Sequence, residues 1–253
     1  MRSYRAEGVA LLAHEYRGTG RVVNFFTRER GKVEAVAQGI GKPGSSLAAA
    51  VELFTHSQLF LVEGRILDRL TQARVLEAFE SLRLHVRRLG HAGFLCELLA
   101  RATEPGQPIP TAFDDLVIAL RLLDADHEPV TVAAAATWRI LGDLGVAPDL
   151  DRCVRCGAAL EATRVFLAPE AGSVCGSCFT DEDGETDASV PVSAQLRALT
   201  GTLGRFPMSR LSRLNVDTAL WNDLLRLERL QIRYYLGLEL QSDSFLRQLC
   251  RPG

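Results

Sequence analysis

Four cysteines in the middle of the chain constrain its fold more than any other sequence feature. They form two Cys-x-x-Cys pairs separated by 18 residues, namely Cys153 with Cys156 and Cys175 with Cys178. Zn²⁺ takes four ligands in a tetrahedron at about 2.3 Å from each thiolate sulfur. Two cysteines separated by two residues can present both sulfurs from one tight turn. We therefore predict one Zn²⁺ per chain, bound by these four thiolates.

The predicted zinc site is structural, because four protein ligands leave no coordination position for water or substrate. Gly157 and Gly176 lie beside or inside the pairs, where glycine permits the positive φ that such turns use. Two other interpretations stay open: a redox dithiol, which usually needs one Cys-x-x-Cys beside a βαβ unit, and thiols without metal. Cys96 and Cys250 fall in helical apolar patterns and are predicted to be core residues.

The hydrophobic period changes near residue 75. Before it, short segments rich in β-branched and aromatic residues are separated by turns such as Arg28-Glu29-Arg30-Gly31. Five such segments in about 75 residues predict a small closed barrel of OB-fold size. After residue 75 the apolar positions recur at helical spacing. Helical patterning resumes at Ser193, a favourable N-cap, and predicts a long final helix over about 217–238.

The predicted fold class is therefore α+β with several domains. An N-terminal OB-fold barrel occupies residues 1–78. A helical domain follows in two parts, 79–150 and 189–253. The four-cysteine zinc module, residues 151–188, is inserted between these two parts.

Charge is segregated along the chain although the net charge is only −2. Residues 1–74 carry 11 Lys and Arg against 7 Asp and Glu, and residues 191–253 carry 9 against 5. Residues 75–150 carry 6 against 11, and residues 151–190 carry 3 against 8. The basic ends favour an anionic partner. Arg outnumbers Lys by 27 to 2, which suits phosphate binding, although a GC-rich genome produces the same ratio.

The sequence contains no recognisable catalytic motif. Loop 39–44 lacks the spacing of a phosphate-binding loop, and Pro43 removes an amide donor from it. No G-x-S-x-G elbow occurs, and the five histidines are scattered. No run approaches the roughly 20 apolar residues of a membrane span, and no signal-peptide core follows Met1. We therefore expect a cytosolic protein that is not an enzyme.

The order of these parts, together with several local motifs, resembles the RecO family of bacterial recombination mediator proteins. The resemblance extends over essentially the whole chain. The motifs are Gly8 with its strand, the segment Phe26-Thr27-Arg28-Glu29-Arg30-Gly31-Lys32, the loop 39–47, Leu70-Thr71-Gln72-Ala73 leading to Phe79, and Tyr234-Tyr235-Leu236 with Ser242, Phe245 and Leu246.

The resemblance implies a non-enzymatic protein, cytoplasmic and associated with the nucleoid, that binds single- and double-stranded DNA. Such proteins anneal complementary strands and, with RecR, help load RecA onto DNA coated by single-stranded DNA-binding protein. Two other classes of function stay open. One is a zinc-stabilised scaffold that acts only through proteins, or an RNA-binding module. The other is an enzyme whose catalytic groups are distant in sequence.

Two sets of basic residues are candidate binding surfaces. The first set lies at strand ends and loops of the predicted barrel, where OB-folds bind nucleic acid. It comprises Arg17, Arg21, Arg28, Arg30, Lys32 and Lys42. The second set, Arg226, Arg229 and Arg233, falls within about 60° on the last long helix at 100° per residue. This set is a candidate binding surface for DNA or for an acidic peptide such as the tail of single-stranded DNA-binding protein.

Each candidate has a simpler alternative. Both basic sets are also compatible with ordinary solvated surface. Phe25 or Phe26 is a candidate for stacking on bases, because strand alternation points only one of them outward. Packing in a core is the alternative for either ring.

Overall fold

A computed structural model of the protein describes residues 2–16, 18, 20–41, 45–160, 165–168, 172–180 and 190–249. The chain forms two compact units. The first comprises Met1–Pro129 with Leu240–Gly253, and the second comprises Val130–Glu239. The predicted fold class is confirmed, since a closed five-stranded barrel, a helical region and a four-cysteine cluster are all present. The finer domain boundaries at residues 78, 150 and 188 stay a prediction.

The barrel of the first unit has the strand order β1-β2-β3-β5-β4 and closes between β4 and β1. Its strands are β1 (Ser3–Tyr16), β2 (Gly20–Thr27), β3 (Gly31–Ala37), β4 (His56–Val62) and β5 (Asp68–Glu77). Strands β3 and β5 are parallel and all other pairs are antiparallel. A short helix, α1 (Ser46–Ala50), lies between β3 and β4 in the chain. The small closed barrel that the five predicted strands indicated is therefore confirmed.

Alternate side chains of the strands point inward and fill the barrel interior. Leu59 and Leu61 of β4 point inward and are buried, whereas Phe60 between them is partly exposed. Gly31 begins β3 with φ of +66°, and a Cβ there would lie 2.1 Å from the carbonyl oxygen of Gln107. Glycine is therefore required at this turn for two reasons, the backbone conformation and the close approach of another loop.

The helices of the first unit begin later than the sequence pattern indicated, because β5 continues to Glu77. Those that follow β5 are α2 (Glu80–Arg83), α3 (Val86–Ala102) and α4 (Pro110–Asp124), and a C-terminal helix belongs to the same unit. Helix α4 covers part of the barrel, where Phe113 contacts Phe26 with ring centroids 6.3 Å apart. Phe25 and Phe26 are both fully buried, so core packing is the role of each.

The C-terminal helix, α8 (Gln241–Leu249), packs against α3. The carboxylate of Glu97 accepts hydrogen bonds from the backbone amides of Gln241 and Ser242, each at 2.9 Å, and from the Ser242 hydroxyl at 2.6 Å. These contacts satisfy amide groups that the first turn of a helix leaves without partners. A carboxylate from α3 therefore caps α8.

The described residues of the second unit form α-helices and a small sheet. The helices are α5 (Pro129–Asp143), α6 (Ala194–Leu203) and α7 (Thr218–Tyr234), and the sheet has the order β7-β6-β8. Its strands are β6 (Val165–Ala168), β7 (Gly172–Cys175) and β8 (Val190–Val192). The predicted N-cap is confirmed, because the Ser193 hydroxyl accepts from the Leu196 amide. Among the described helices, none is long and apolar enough to cross a membrane.

The last long helix is shorter than predicted. It ends at Tyr234 rather than near residue 238, and Gly237 follows with φ of +63°. This backbone conformation cannot continue a right-handed helix. Leu224 and Leu227 of this helix are buried, whereas Tyr234 at its end is 43% exposed.

Candidate functional site

The four predicted cysteine ligands converge. Their sulfur atoms all lie within 4.8 Å of one another, and the sulfurs of Cys156 and Cys175 are 3.8 Å apart. Four sulfurs at about 2.3 Å from one tetrahedral Zn²⁺ are separated by about 3.8 Å. The cluster therefore has the size of a single zinc site. The part of the chain that the structure describes contains no other group of three or more potential ligands with this proximity.

Tight turns present the two pairs of sulfurs. In the first turn Gly157 has φ of +73° and donates its amide to the Cys153 carbonyl at 2.8 Å. In the second, the amides of Cys178 and Phe179 both donate to the Cys175 carbonyl, at 2.9 and 3.0 Å. The predicted role of glycine in the first turn is confirmed, since positive φ is strained for other residues. For Gly176 in the second turn the prediction is wrong, because this residue does not have positive φ.

A close backbone contact joins the first turn to the sheet. The amide of Val154 donates to the carbonyl of Ser173 at 2.9 Å. A Cβ on Gly172 would lie 2.0 Å from Cγ1 of Val154, so no larger residue fits there without movement. Strands β6 and β7 thus form an antiparallel hairpin that returns the second cysteine pair to the first.

The thiols differ in acidity, as expected of a cation site. Burial raises the pKa of Cys153, but hydrogen bonds from the amides of Cys175, Cys156 and Arg155 outweigh it and lower the pKa to about 6. The neighbouring sulfurs of Cys156 and Cys175 raise the pKa of Cys178 to about 12. The Cys153 thiolate therefore forms readily, whereas the neighbouring sulfurs oppose ionisation of Cys178. A divalent cation removes this conflict, because each bound thiol is deprotonated, so the donor set fits a metal ion.

The remaining cysteines follow a different pattern. Cys96 is buried in α3, and burial raises the pKa of its thiol, which agrees with the predicted core role. Cys250 lies outside the described residues.

The predicted DNA contacts on the barrel all have intramolecular partners where the structure describes them. Arg17 and Lys42 lie outside the described residues. The partners are Glu52 for Arg21 at 2.8 Å, Asp114 for Arg28 at 2.7 and 2.9 Å, Glu63 for Arg30 at 2.9 Å, and the Ala100 carbonyl oxygen for Lys32 at 3.0 Å. These four positive charges are therefore partly compensated within the protein, and their role in DNA binding stays a prediction.

A different group of arginines on the barrel is uncompensated. Arg5, Arg69 and Arg74 are exposed, and no carboxylate of the described residues lies within ion-pair distance of them. They point outward from β1 and β5. Sequence analysis missed them because it selected basic residues at strand ends and loops. The alternation of each strand could have identified them, since these exposed positions alternate with less exposed ones.

The second predicted basic set lies on α7. Arg226 is exposed and Arg229 is partly exposed. Arg233 is exposed and pairs with Glu239 at 3.0 Å. The binding role of these three residues stays a prediction.

Comparisons with known proteins cover nearly the whole chain. The family model described as Recombination protein O N terminal matches residues 1–79, and Recombination protein O C terminal matches residues 83–244. The DNA repair protein RecO of Pelotomaculum thermopropionicum is 31% identical over 246 residues, which are 97% of this chain and 94% of that protein. The RecO of Desulforamulus reducens is 30% identical over 254 residues, 100% and 97% of the two chains. The RecO of Bacillus subtilis is 27% identical over 245 residues, 97% and 94%.

Proposed function

The chain belongs to the RecO family, and from this premise we propose that it acts in DNA repair as a recombination mediator. It binds single- and double-stranded DNA and anneals complementary single strands. With RecR it helps load RecA onto DNA coated by single-stranded DNA-binding protein, in the cytoplasm at the nucleoid. It catalyses no covalent reaction. The observation that carries the proposal is the match to both family domains along nearly the full length.

The metal in this proposal is Zn²⁺, and its role is structural. Cys153, Cys156, Cys175 and Cys178 hold it, because four converging thiolates are the donor set of closed zinc sites. Bound zinc supplies a cross-link between the two turns. The chain itself orients the sulfurs through backbone hydrogen bonds, such as that from the Cys175 amide to the Cys153 sulfur at 3.4 Å.

Annealing requires that two polyanions come close together, so the protein must partly neutralise both strands. The predicted contacts Arg21, Arg28, Arg30 and Lys32, together with Arg17 and Lys42, supply basic groups on the barrel for this purpose. For Arg28, DNA would compete with Asp114 for the guanidinium group. Binding at these residues then includes an exchange of a carboxylate for a phosphate.

Annealing of complementary oligonucleotides by purified, zinc-loaded protein tests the proposal. Without any nucleotide cofactor, we expect acceleration at low salt that fades as salt rises, because each neutralised phosphate releases counterions. Absence of acceleration at every salt concentration, with folded protein, would favour a scaffold that acts only through proteins.

We also propose that Arg226, Arg229 and Arg233 of α7 contact DNA or the acidic tail of single-stranded DNA-binding protein. Reversal of the two most exposed charges, Arg226→Glu with Arg233→Glu, should weaken binding of a tail peptide. The matched control is Arg210→Glu with Arg213→Glu, which reverses two exposed charges elsewhere in the same unit. Equal peptide affinity of the two double variants would remove α7 from consideration.

A further inference from the structure

The outer surface of β1, β4 and β5 carries an aromatic ring beside a guanidinium group. Arg5 of β1 and Gln72 of β5 lie directly opposite Phe60 of β4 on its two sides. The three side chains therefore share the outward face of the sheet. The Arg5 Cζ atom lies 4.9 Å from the centroid of the partly exposed Phe60 ring. We call the surface formed by Arg5, Phe60, Arg69 and Arg74 the outer barrel face.

Cations lie on both sides of this ring along the sheet. Two residues before Phe60 on β4, Gln58 pairs with Arg74, and two residues after it, Val62 pairs with Arg69. Because a strand rises about 3.3 Å per residue, each arginine is about 7 Å from the ring along the strand direction. A polymer that follows the strands would meet a cation, then the ring with Arg5, then another cation.

The charges on this face are uncompensated. The acidic groups nearest in sequence on these strands are already engaged, since Glu7 contacts His56 and Asp68 accepts from Tyr4. Glu63, in the β4–β5 turn, pairs with Arg30. Within the described part of the chain, Arg5, Arg69 and Arg74 have no such partner. This contrasts with Arg21, Arg28 and Arg30, whose guanidinium groups contact carboxylates.

An open hollow of about 600 Å³ lies beside the ring. It is lined by Ser3, Tyr4, Arg5, Phe60, Leu61, Thr71 and Gln72. Thr71 is the extra residue of a β-bulge, and its hydroxyl donates to the Phe60 carbonyl. Ser3 and Gln72 supply polar groups at the rim, and the ring supplies an apolar wall. Sites that receive a planar, polar-edged group combine these features.

We infer that the outer barrel face binds a single strand of nucleic acid. One base stacks at the Phe60–Arg5 pair with its edge toward Ser3 and Gln72, and the backbone phosphates contact Arg69 and Arg74. Bases become available for stacking only when unpaired, so the face selects a single strand over a duplex. This inference rests on the proposed function and adds a contact surface distinct from the six residues predicted at strand ends and loops.

Substitution of the ring tests base stacking. We compare binding of a fluorescent oligothymidylate and of a matched duplex to the full-length wild type, Phe60→Ala and Phe60→Leu. Loss of one stacked base should weaken single-strand binding by about 5- to 150-fold, with little change for the duplex. Phe60→Leu keeps apolar volume on the sheet but removes the flat ring, so it separates loss of stacking from loss of fold. Unfolding midpoints measured alongside confirm that each variant is folded.

Charge reversal tests the phosphate contacts. The triple variant Arg5→Glu, Arg69→Glu and Arg74→Glu should reduce the slope of log affinity against log salt by about 1.4, since Arg69 and Arg74 make the two phosphate contacts and each single-strand contact contributes about 0.7. The charge-matched control reverses Arg205, Arg210 and Arg213, which are exposed in the other unit. The control should keep the wild-type slope to a first approximation.

The outcomes separate this inference from the proposed function. Wild-type protein that neither binds nor anneals DNA would overturn both. Wild-type protein that anneals, with Phe60 and triple variants of unchanged affinity and salt slope, would overturn the outer barrel face alone. Variants that keep DNA binding but lose binding to purified RecR would show that the face contacts protein, which also overturns the inference.

Discussion

The barrel and the four-cysteine cluster hold their structures by different means. In the barrel, side chains from all five strands and α1 meet in one apolar interior that includes Phe25, Leu59 and Leu61. In the cluster, two turns from neighbouring stretches of chain meet around four sulfurs, and the adjoining strands are only three or four residues long. Strands this short do not form a stable sheet without additional packing. The proposed zinc would therefore take the place of an apolar core in this region of short strands.

A substitution that destabilises one of the two regions should therefore leave the other folded. Burial of one large apolar side chain contributes about 1.5–3 kcal/mol, and the barrel distributes this contribution over many residues. A structural zinc site concentrates its contribution in one ion. Removal of one side chain should therefore lower the stability of the barrel only in part. Removal of the metal should unfold the cluster completely.

Removal of the metal should have the largest effect. Apparent binding free energies of structural zinc are on the order of 10 kcal/mol at neutral pH, and they are largely folding free energy. Cys153→Ser should lose zinc and, in the described residues 150–160 and 172–180, hydrogen-exchange protection. Protection of barrel amides should remain. Zinc analysis together with hydrogen exchange measures both outcomes.

The matched control for this variant is Cys96→Ala, which removes a buried thiol remote from the cluster in sequence. It should retain one zinc per chain. If Cys153→Ser kept wild-type protection around the cluster, packing rather than metal would hold the two turns.

Truncation of a buried side chain in the barrel should give the next largest effect. Here the barrel should lose stability while the cluster keeps its zinc. Phe25→Ala removes a fully buried ring from the interior and should cost about 3–5 kcal/mol of unfolding free energy. Urea unfolding followed by hydrogen exchange should show loss of barrel protection with zinc content unchanged. Loss of zinc in this variant would mean that the cluster depends on the barrel core.

Sequence periodicity was sufficient to predict the barrel and the cysteine cluster because both follow short-range rules. Alternation identified the strands, and the spacing of Cys153 and Cys156 predicted a turn that presents two sulfurs. Polar partners distant in sequence could not be predicted in this way. Arg28 pairs with Asp114, 86 residues away, and Glu97 accepts from Ser242, 145 residues away. A count of basic residues in the sequence therefore includes residues that already pair with a carboxylate in the folded protein.

The cap of α8 provides a smaller test, because it joins the first unit by polar contacts rather than by packing alone. Burial raises the pKa of Glu97, but hydrogen bonds from Ser242 and from the Gln241 amide outweigh it, so the pKa lies below its usual value near 4.5. Glu97→Gln should cost about 1–3 kcal/mol, since it weakens three hydrogen bonds to a charged acceptor. Urea unfolding at pH 7 measures this difference.

The pH dependence of this cost follows from the lowered pKa. A carboxyl group whose pKa is lower in the folded state stabilises the protein above the unfolded value, and this contribution is lost as pH falls through the folded value. The stability difference between wild type and Glu97→Gln should therefore shrink as the pH falls below about 4.5. A difference that stays constant with pH would mean that ionisation of Glu97 does not contribute.

The smallest stability effect is expected at the ion pair of Arg28 with Asp114, where both side chains are more than 40% exposed. Asp114→Asn should change the unfolding free energy by less than about 1 kcal/mol. It should nevertheless raise affinity for single-stranded DNA a few-fold if Arg28 is a DNA contact. The substitution removes the carboxylate that competes with phosphate for the guanidinium group.

A double-mutant cycle separates this competition from a general change in charge. Glu34→Gln, at an exposed position of β3, removes one negative charge without releasing Arg28, so it measures the nonspecific gain in affinity. If Arg28 carries the effect, Asp114→Asn should increase affinity beyond this control in the wild type but not in Arg28→Ala. An equal gain in both backgrounds would assign the effect to net charge. Arg28 would then be a structural residue held by Asp114 rather than a DNA contact.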